Sequence, residues 1–212
     1  MKSVKKILKV SLGLLVVTSL ISSCSKMDSE VEATSTPVPT PALATNSTTY
    51  YVSATIGNNS RTATQAKNPD TPWKTIQKAA SSVPGGSTVI ISGGTYLEKV
   101  TLTSSCNGTA SAPTVFRGKT GETVIIDGQN TGVQWESLFR INGAQYITIK
   151  NIKTQNGYWY GFSTQGSNHI NIDSCATFNT RASGIYTHST PDINITNNKI
   201  QRACQFLSRD AN

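Results

Sequence analysis

From residue 124 to residue 197, large aliphatic residues recur every 23 positions. Val124 is followed at that step by Ile147, Ile170 and Ile193, and Ile126 by Ile149, Ile172 and Ile195. Phe116, Phe139, Phe162 and Ile185 form a third column. Around these positions apolar and polar residues alternate, as in Tyr146-Ile147-Thr148-Ile149-Lys150, His169-Ile170-Asn171-Ile172-Asp173 and Asp192-Ile193-Asn194-Ile195-Thr196. A period of two predicts a strand with one buried face. A repeat of 23 stacks each such strand on the one before, apolar residue over apolar residue. Gly143, Gly166 and Ser189 predict one bend shared by successive coils, Gly161 and Gly184 a second, and Asn151, Ser174 and Asn197 a third. The pattern therefore predicts an all-β chain, a single-stranded parallel β-helix of 23-residue coils. Parallel connections of this kind wind right-handed. A leucine-rich repeat of similar period would carry several Leu per repeat, and a β-sandwich would not keep one register over four repeats.

A solenoid exposes its apolar ladder at its ends unless something covers it. Residues 71–83 place Trp73, Ile76, Ala79, Ala80 and Val83 on one helical face, with Pro72 in the first turn and Pro84-Gly85-Gly86 as the stop. A short capping helix over this stretch is expected at the N-terminal end. An irregular first coil follows, with a strand at Thr88-Val89-Ile90-Ile91, a turn at Gly93-Gly94 and a strand through Val100 and Leu102. The residues from Ala203 to Asn212 are too few to complete another coil. The β-helix domain, residues 50–212, is thus expected to be truncated at its C-terminus.

Upstream, Lys2, Lys5, Lys6 and Lys9 introduce an apolar run from Val10 to Ile21. A membrane-spanning helix needs about 20 apolar residues, so the run suits a secretory signal occupying residues 1–23. It ends in Ile21-Ser22-Ser23-Cys24. An aliphatic residue, two small ones and a Cys resemble the lipobox of bacterial lipoproteins. That resemblance implies cleavage before Cys24, acylation of Cys24 as a lipid anchor, and a place on the bacterial outer membrane or cell surface; more than one acyl chain makes such an anchor stable. Residues 24–49 contain Thr34-Ser35-Thr36-Pro37-Val38-Pro39-Thr40-Pro41 and no periodicity, the composition of an extended tether.

Charge narrows the partners. The formal +8 falls to +4 once the four Lys of the leader, which carries no acid, are removed. That mild bias suits an acidic polysaccharide and lacks the dense basic stripe of a nucleic-acid binder, so no nucleic-acid partner is expected. Cys106, Cys175 and Cys204 have neither disulfide-framework nor zinc-ligand spacing.

Several segments carry a family resemblance. They are Tyr50-Tyr51-Val52-Ser53, Gly57-Asn58-Asn59, Pro72-Trp73-Lys74-Thr75-Ile76-Gln77-Lys78-Ala79-Ala80, Gly93-Gly94-Thr95-Tyr96-Leu97-Glu98 and Val124-Ile125-Ile126-Asp127-Gly128. Together they resemble the opening of pectate-lyase-like right-handed β-helix proteins, closest in look to polysaccharide lyase family 9. The resemblance covers residues 50 to 204. It implies a lipoprotein that acts on polysaccharide by β-elimination, a monomer when complete, with an acidic polysaccharide as partner and the membrane reached through the lipid anchor. It also implies calcium, held by several Asp, and a Lys base, both on later coils. No such Asp cluster is present, so catalytic and metal residues stay unassigned, no cofactor is expected in this chain, and the chain is expected to be inactive on uronate polymers. A non-catalytic glycan-binding or adhesion module is the alternative.

Within the repeat, a lyase needs a cation to neutralise the uronate carboxylate and a base to take the neighbouring proton. Lys150, Lys153, Arg181, Lys199 and Arg202 are outward-facing candidates, weighed against a merely solvated face. Asp127 before Gly128 reads as a turn residue, and Asp173 as a partner for Lys150 one coil earlier. Tyr158, Trp159 and Tyr160 lie beside Gly157 and Gly161, with Arg181 one repeat after Tyr158. These four are the candidate sugar-binding residues, weighed against packing of the rings in the core.

Overall fold

The computed structural model describes residues 47–205. The predicted leader, Cys24, the tether up to Asn46, and Phe206 to Asn212 lie outside the described residues. Strands dominate, and they fall into three parallel sheets wound in turn. The first sheet stacks β1 (Thr49–Val52), β2 (Thr88–Ile91), β5 (Thr114–Gly118), β8 (Gln145–Lys150), β11 (Asn168–Asp173) and β14 (Ile193–Thr196). The second stacks β3 (Gly94–Tyr96), β6 (Val124–Asp127), β9 (Lys153–Gln155), β12 (Ala176–Phe178) and β15 (Lys199–Gln201). The third stacks β4 (Val100–Leu102), β7 (Ser137–Asn142), β10 (Tyr160–Gln165) and β13 (Ser183–His188). From β2 onward the chain visits the three sheets in order, which is the parallel β-helix that the alternation predicts.

The core is a set of ladders. In the first sheet Tyr50, Val89, Phe116, Ile149, Ile172 and Ile195 stand over one another, and beside them Ile147, Ile170 and Ile193. In the third sheet Val100, Phe139, Phe162 and Ile185 do the same. The 23-residue register holds from β7 onward, and all three predicted columns need correction at their first member. Val124 and Ile126 belong to the second sheet, where Ile126 lies under Thr154, 28 residues on. Phe116 belongs to the first sheet and pairs with Ile149, 33 residues on. The turn at 119–123 and the loop at 128–136 enlarge the earlier coils. A solenoid fixes strand register and lets loops take up extra residues, so an accidental 23-residue step between apolar residues is not a shared column.

The bends use backbone that most residues avoid. Gly143, Gly166 and Ser189 have φ of 66°, 56° and 47°, and Asn151, Ser174 and Asn197 have φ near 54°, so two of the three predicted bends are left-handed turns. Two further left-handed columns escape the sequence pattern: Tyr146, His169 and Asp192, and Asn156, Asn179 and Arg202. Stacking supplies what the non-glycine residues need there. The Tyr146 and His169 rings lie 4.3 Å apart, the Asn179 Nδ2 donates to Asn156 Oδ1 at 2.8 Å, and Asn156 Nδ2 donates to Asp127 Oδ1 at 3.0 Å. Gly161 and Gly184 are not bend residues. They lie inside β10 and β13, where the third sheet comes close to Thr154 and Thr177 of the second.

The cap is shorter than predicted: α1 spans Ile76–Ala80. The Thr75 hydroxyl accepts from Lys78 N at 3.1 Å, and the Glu98 carboxylate accepts from Ile76 N and Gln77 N, both at 2.8 Å. These bonds satisfy amides that a helix start leaves unpaired. Burial nevertheless pushes the Glu98 carboxyl above its ordinary value. Trp73 and Pro72 fall outside the helix, because Trp73 is drawn into a bridge with Val52 and stacks on Tyr50 at 5.5 Å. Cys106, Cys175 and Cys204 are all free thiols.

Candidate functional site

Alternation in the third sheet turns Phe139, Phe162 and Ile185 inward, and so it turns Arg140, Ser163 and Tyr186 outward as a second column. Asn142, Gln165 and His188 form another outward column at the strand ends. Between these columns and the loop at 128–136 lies a groove of about 280 Å³, lined by Trp135, Arg140, Tyr160, Gln165, Tyr186 and His188 among others. The Tyr160 and Tyr186 rings stack at 4.5 Å and 4°. Trp135 rises beside them, 64% exposed, with its ring 5.4 Å from Trp159 and 6.5 Å from Tyr160.

The loop that carries Trp135 is tied down. Glu136 pairs with Lys99 at 2.6 Å and accepts from Val133 N at 3.1 Å, and its backbone carbonyl accepts from Tyr160 N at 3.0 Å. Lys99 also holds the Glu136 carboxyl below its ordinary value, against the opposing effect of burial. Arg140 Nη2 donates to Gln165 Oε1 at 2.5 Å, which orients the guanidinium along the groove floor. A guanidinium has five N–H donors in a planar fork suited to carboxylates, and one of them is used here. Flat rings beside an oriented guanidinium make a surface for a sugar that carries a carboxylate.

Of the four sugar-binding candidates, only Tyr160 lines this groove. Trp159 is buried beneath Trp135. Arg181 Nη1 donates to Tyr158 Oη at 2.6 Å, and its guanidinium sits 5.0 Å from the Tyr158 ring and 5.6 Å from the Trp159 ring. Tyr158, Trp159 and Arg181 therefore form a brace behind the groove. Among the other groove residues, Trp135, Arg140, Gln165 and Tyr186 were not singled out in the sequence, and His188 lies 19 residues from His169, off its column, which argues against a role shared by the two. Arg140 and Tyr186 had a signal, since they stand 46 residues, two coils, apart in the outward phase. Trp135 had none, because it comes from an inserted loop outside the repeat.

Four of the five candidate cations, Lys150, Lys153, Arg181 and Arg202, have side-chain neighbours of their own, while Lys199 is exposed on β15, away from the groove. Lys150 pairs with Asp173 at 2.6 Å. That pair, with Asn197 Nδ2 and Thr196 Oγ1 also donating to Asp173, holds the Asp173 carboxyl well below the usual range. Lys153 and Arg202 flank Phe178. The described carboxylates do not fit calcium, which takes six to eight oxygen ligands. Asp127 accepts from Gln155, Asn156 and Gln129 N, Glu98 caps α1, and Glu122 and Glu136 pair with Lys119 and Lys99. Among the described residues no three His, Cys, Asp or Glu converge on a point where an ion would sit.

Three parallel sheets wound round one set of aliphatic ladders, with left-handed bends at fixed columns, define a β-helix solenoid. Residues 50–211 match the family described as Pel9A-like, right handed beta helix region, and the chain belongs to that family. It is 32% identical over 136 residues to pectate lyase PEL9 of Emericella nidulans, a match covering 49% of this chain and 33% of that enzyme. Among solved structures it is similar in fold to pectate lyase Pel9A, with a TM-score of 0.52 at 14% identity over 71% of this chain and 46% of the other. A rhamnogalacturonan lyase gives a TM-score of 0.47 at 18% identity, over 72% of this chain and 50% of the other. The chain spans a third to a half of the length of these relatives.

Proposed function

We propose that this protein acts on an acidic polysaccharide in the manner of a pectate lyase, and that the groove on the third sheet holds the uronate units. The observation that carries this is the combination of stacked Tyr160 and Tyr186 rings, the exposed Trp135 and the Gln165-oriented Arg140 in one groove. In β-elimination a base takes the proton beside the uronate carboxylate, the C–H electrons form the C=C bond, and the glycosidic C–O bond breaks with its oxygen leaving as a hydroxyl after taking up a proton from water, so the product carries a conjugated double bond that absorbs ultraviolet light. In this reading Arg140 neutralises the carboxylate and the rings hold the sugar faces. A second reading is a glycan-binding module that does not cut, favoured by the fact that, among the described residues, no Lys lines the groove.

Calorimetric titration with oligogalacturonate tests the groove. Arg140→Ala is expected to weaken binding about ten- to a hundredfold, since a hydrogen bond to a charged group contributes about 1.5–3 kcal/mol. Tyr160→Ala is expected to weaken it as well, and neutral galactan is expected to bind poorly. Equal affinity in wild type and both variants would remove the groove from the account. Absorbance of unsaturated product, followed in parallel, separates the lyase from the module.

We also propose that the protein is exported, acylated at Cys24 and held at the bacterial outer membrane or cell surface. The support is the basic, apolar leader that ends in Ile21-Ser22-Ser23-Cys24. A radioactive fatty acid should label wild type and not Cys24→Ala, and equal labelling of both would refute the anchor.

A further inference from the structure

From β9 to β15 the outward face of the second sheet is cationic, and it lies on a different sheet of the solenoid from the aromatic groove. Register places Lys153, Ala176 and Lys199 in one outward column, with Gln155, Phe178 and Gln201 in the next. Arg202 follows at the left-handed bend that continues the Asn156–Asn179 column. Lys153 Nζ lies 5.5 Å from the Phe178 ring centre and the Arg202 guanidinium 5.7 Å from it. One ring thus holds a cation from the coil before and another from the coil after. Cation–π contact favours such positions and reduces the freedom of two long side chains before any ligand arrives.

Neither Lys153, Lys199 nor Arg202 forms an ion pair among the described residues. Asp127 stands in the Gln155 column of this face, where it accepts from Gln155 and Asn156 and also feels the charge of Lys153, and Glu122 at the border pairs with Lys119. Neighbouring coils are about 4.8 Å apart, so Lys153 and Lys199 are about 10 Å apart along the axis. The small Ala176 between them leaves a notch. At the N-terminal side the face opens into a depression of about 460 Å³ bordered by Lys119 with its partner Glu122, and by Asn151, Lys153, Ser174 and Ala176.

We infer that this face is a second binding surface, a rail for an extended anionic polysaccharide lying along the solenoid axis. Charge complementarity commits it to that occupant: Lys153 and Lys199, two coils apart along the axis, and Arg202 beside them present three cations to a polymer that carries one carboxylate per sugar. The inference rests on the reading that the protein meets acidic polysaccharide, and it adds that a long polymer is held at two places while a short oligomer occupies only the groove. Binding two points of one chain raises the effective concentration at the second.

Lysine footprinting by mass spectrometry with polygalacturonate tests it, with Lys74, exposed at the capping end, as the control. Lys153 and Lys199 are expected to be protected by polygalacturonate and not by neutral galactan. The variant K153Q/K199Q/R202Q is expected to bind polygalacturonate about tenfold more weakly, and with a flatter salt dependence because fewer counterions are released. Its thermal melt and its affinity for a short oligogalacturonate should match wild type. Unchanged polymer affinity and no protection, with groove variants still impaired, would overturn the rail and leave the groove. Protection of Lys153 and Lys199 with groove variants unimpaired would retain the rail and overturn the groove. No polygalacturonate binding at all would overturn both. Protection by anionic phospholipid vesicles and not by polygalacturonate would overturn the rail in favour of a membrane-facing surface.

Discussion

Ile170→Asp is expected to abolish the folded state, whereas Asn171→Asp leaves it nearly unchanged. Ile170 is 1% exposed and sits between Ile147 and Ile193 in the ladder. A carboxylate there has no cation or donor to meet, and an unpaired buried charge costs several kcal/mol. A domain's whole stability is about 5–15 kcal/mol, so most of it would be lost. Asn171 points outward between Thr148 and Asn194 and keeps its water, so its change should fall within about 0.5 kcal/mol. Urea unfolding followed by circular dichroism reads both. If Asn171→Asp proved the more damaging, the inward and outward faces of β11 would be reversed.

Gly161→Ala is expected to cost about 2–3 kcal/mol, the scale of forcing an extra carbon into a packed interior. A Cβ at 161 would lie 2.6 Å from the Gly184 carbonyl oxygen and 2.6 Å from Thr154 Oγ1. The carbonyl belongs to the next strand and cannot turn aside without disturbing the sheet. Gly143 provides the contrast. Nothing lies within 4 Å of a Cβ there, but its φ is 66°, so Gly143→Asn should be mild, since Asn adopts that conformation more readily than other side chains. Gly161→Asn should be at least as damaging as Gly161→Ala. Because Gly161 follows Tyr160, the substitution should also weaken oligogalacturonate binding, which loss of stability alone would not do in the folded fraction. Denaturation midpoints and titrations of the folded variants test the pair, and equal midpoints for Gly161→Ala and wild type would show that the two sheets are not in close contact.

These two positions also show how far the sequence could be read. The ladder through Ile170 was legible because alternation and the 23-residue step are local properties repeated several times. The role of Gly161 was not: its spacing to Gly184 suggested a bend, while the structure places both inside strands pressed against Thr154 and Thr177. A glycine that turns the chain and a glycine that makes room for a neighbouring sheet look alike in a sequence. The aromatic run at 158–160 marked the right region, yet its three rings went to two tasks. Tyr160 begins β10 and faces the groove, while Tyr158 and Trp159 precede the strand and are clamped by Arg181.

By itself the sequence determined the solenoid, the ladders of β8, β11 and β14 and of β7, β10 and β13, and two of the left-handed bends. Each of these follows from side-chain period, and period survives in a linear string. Only the tertiary structure decided the size of the earlier coils, the bridge that takes Trp73 out of the cap, and the membership of the groove. Those depend on which loops absorb extra residues and on which strand lies beside which. Trp135 reaches Tyr160 through an inserted loop anchored by Lys99 and Glu136, and Phe178 meets Lys153 and Arg202 only because three successive coils stack in register. Such neighbours are set by packing across coils, which spacing along the chain does not encode once the coils differ in length.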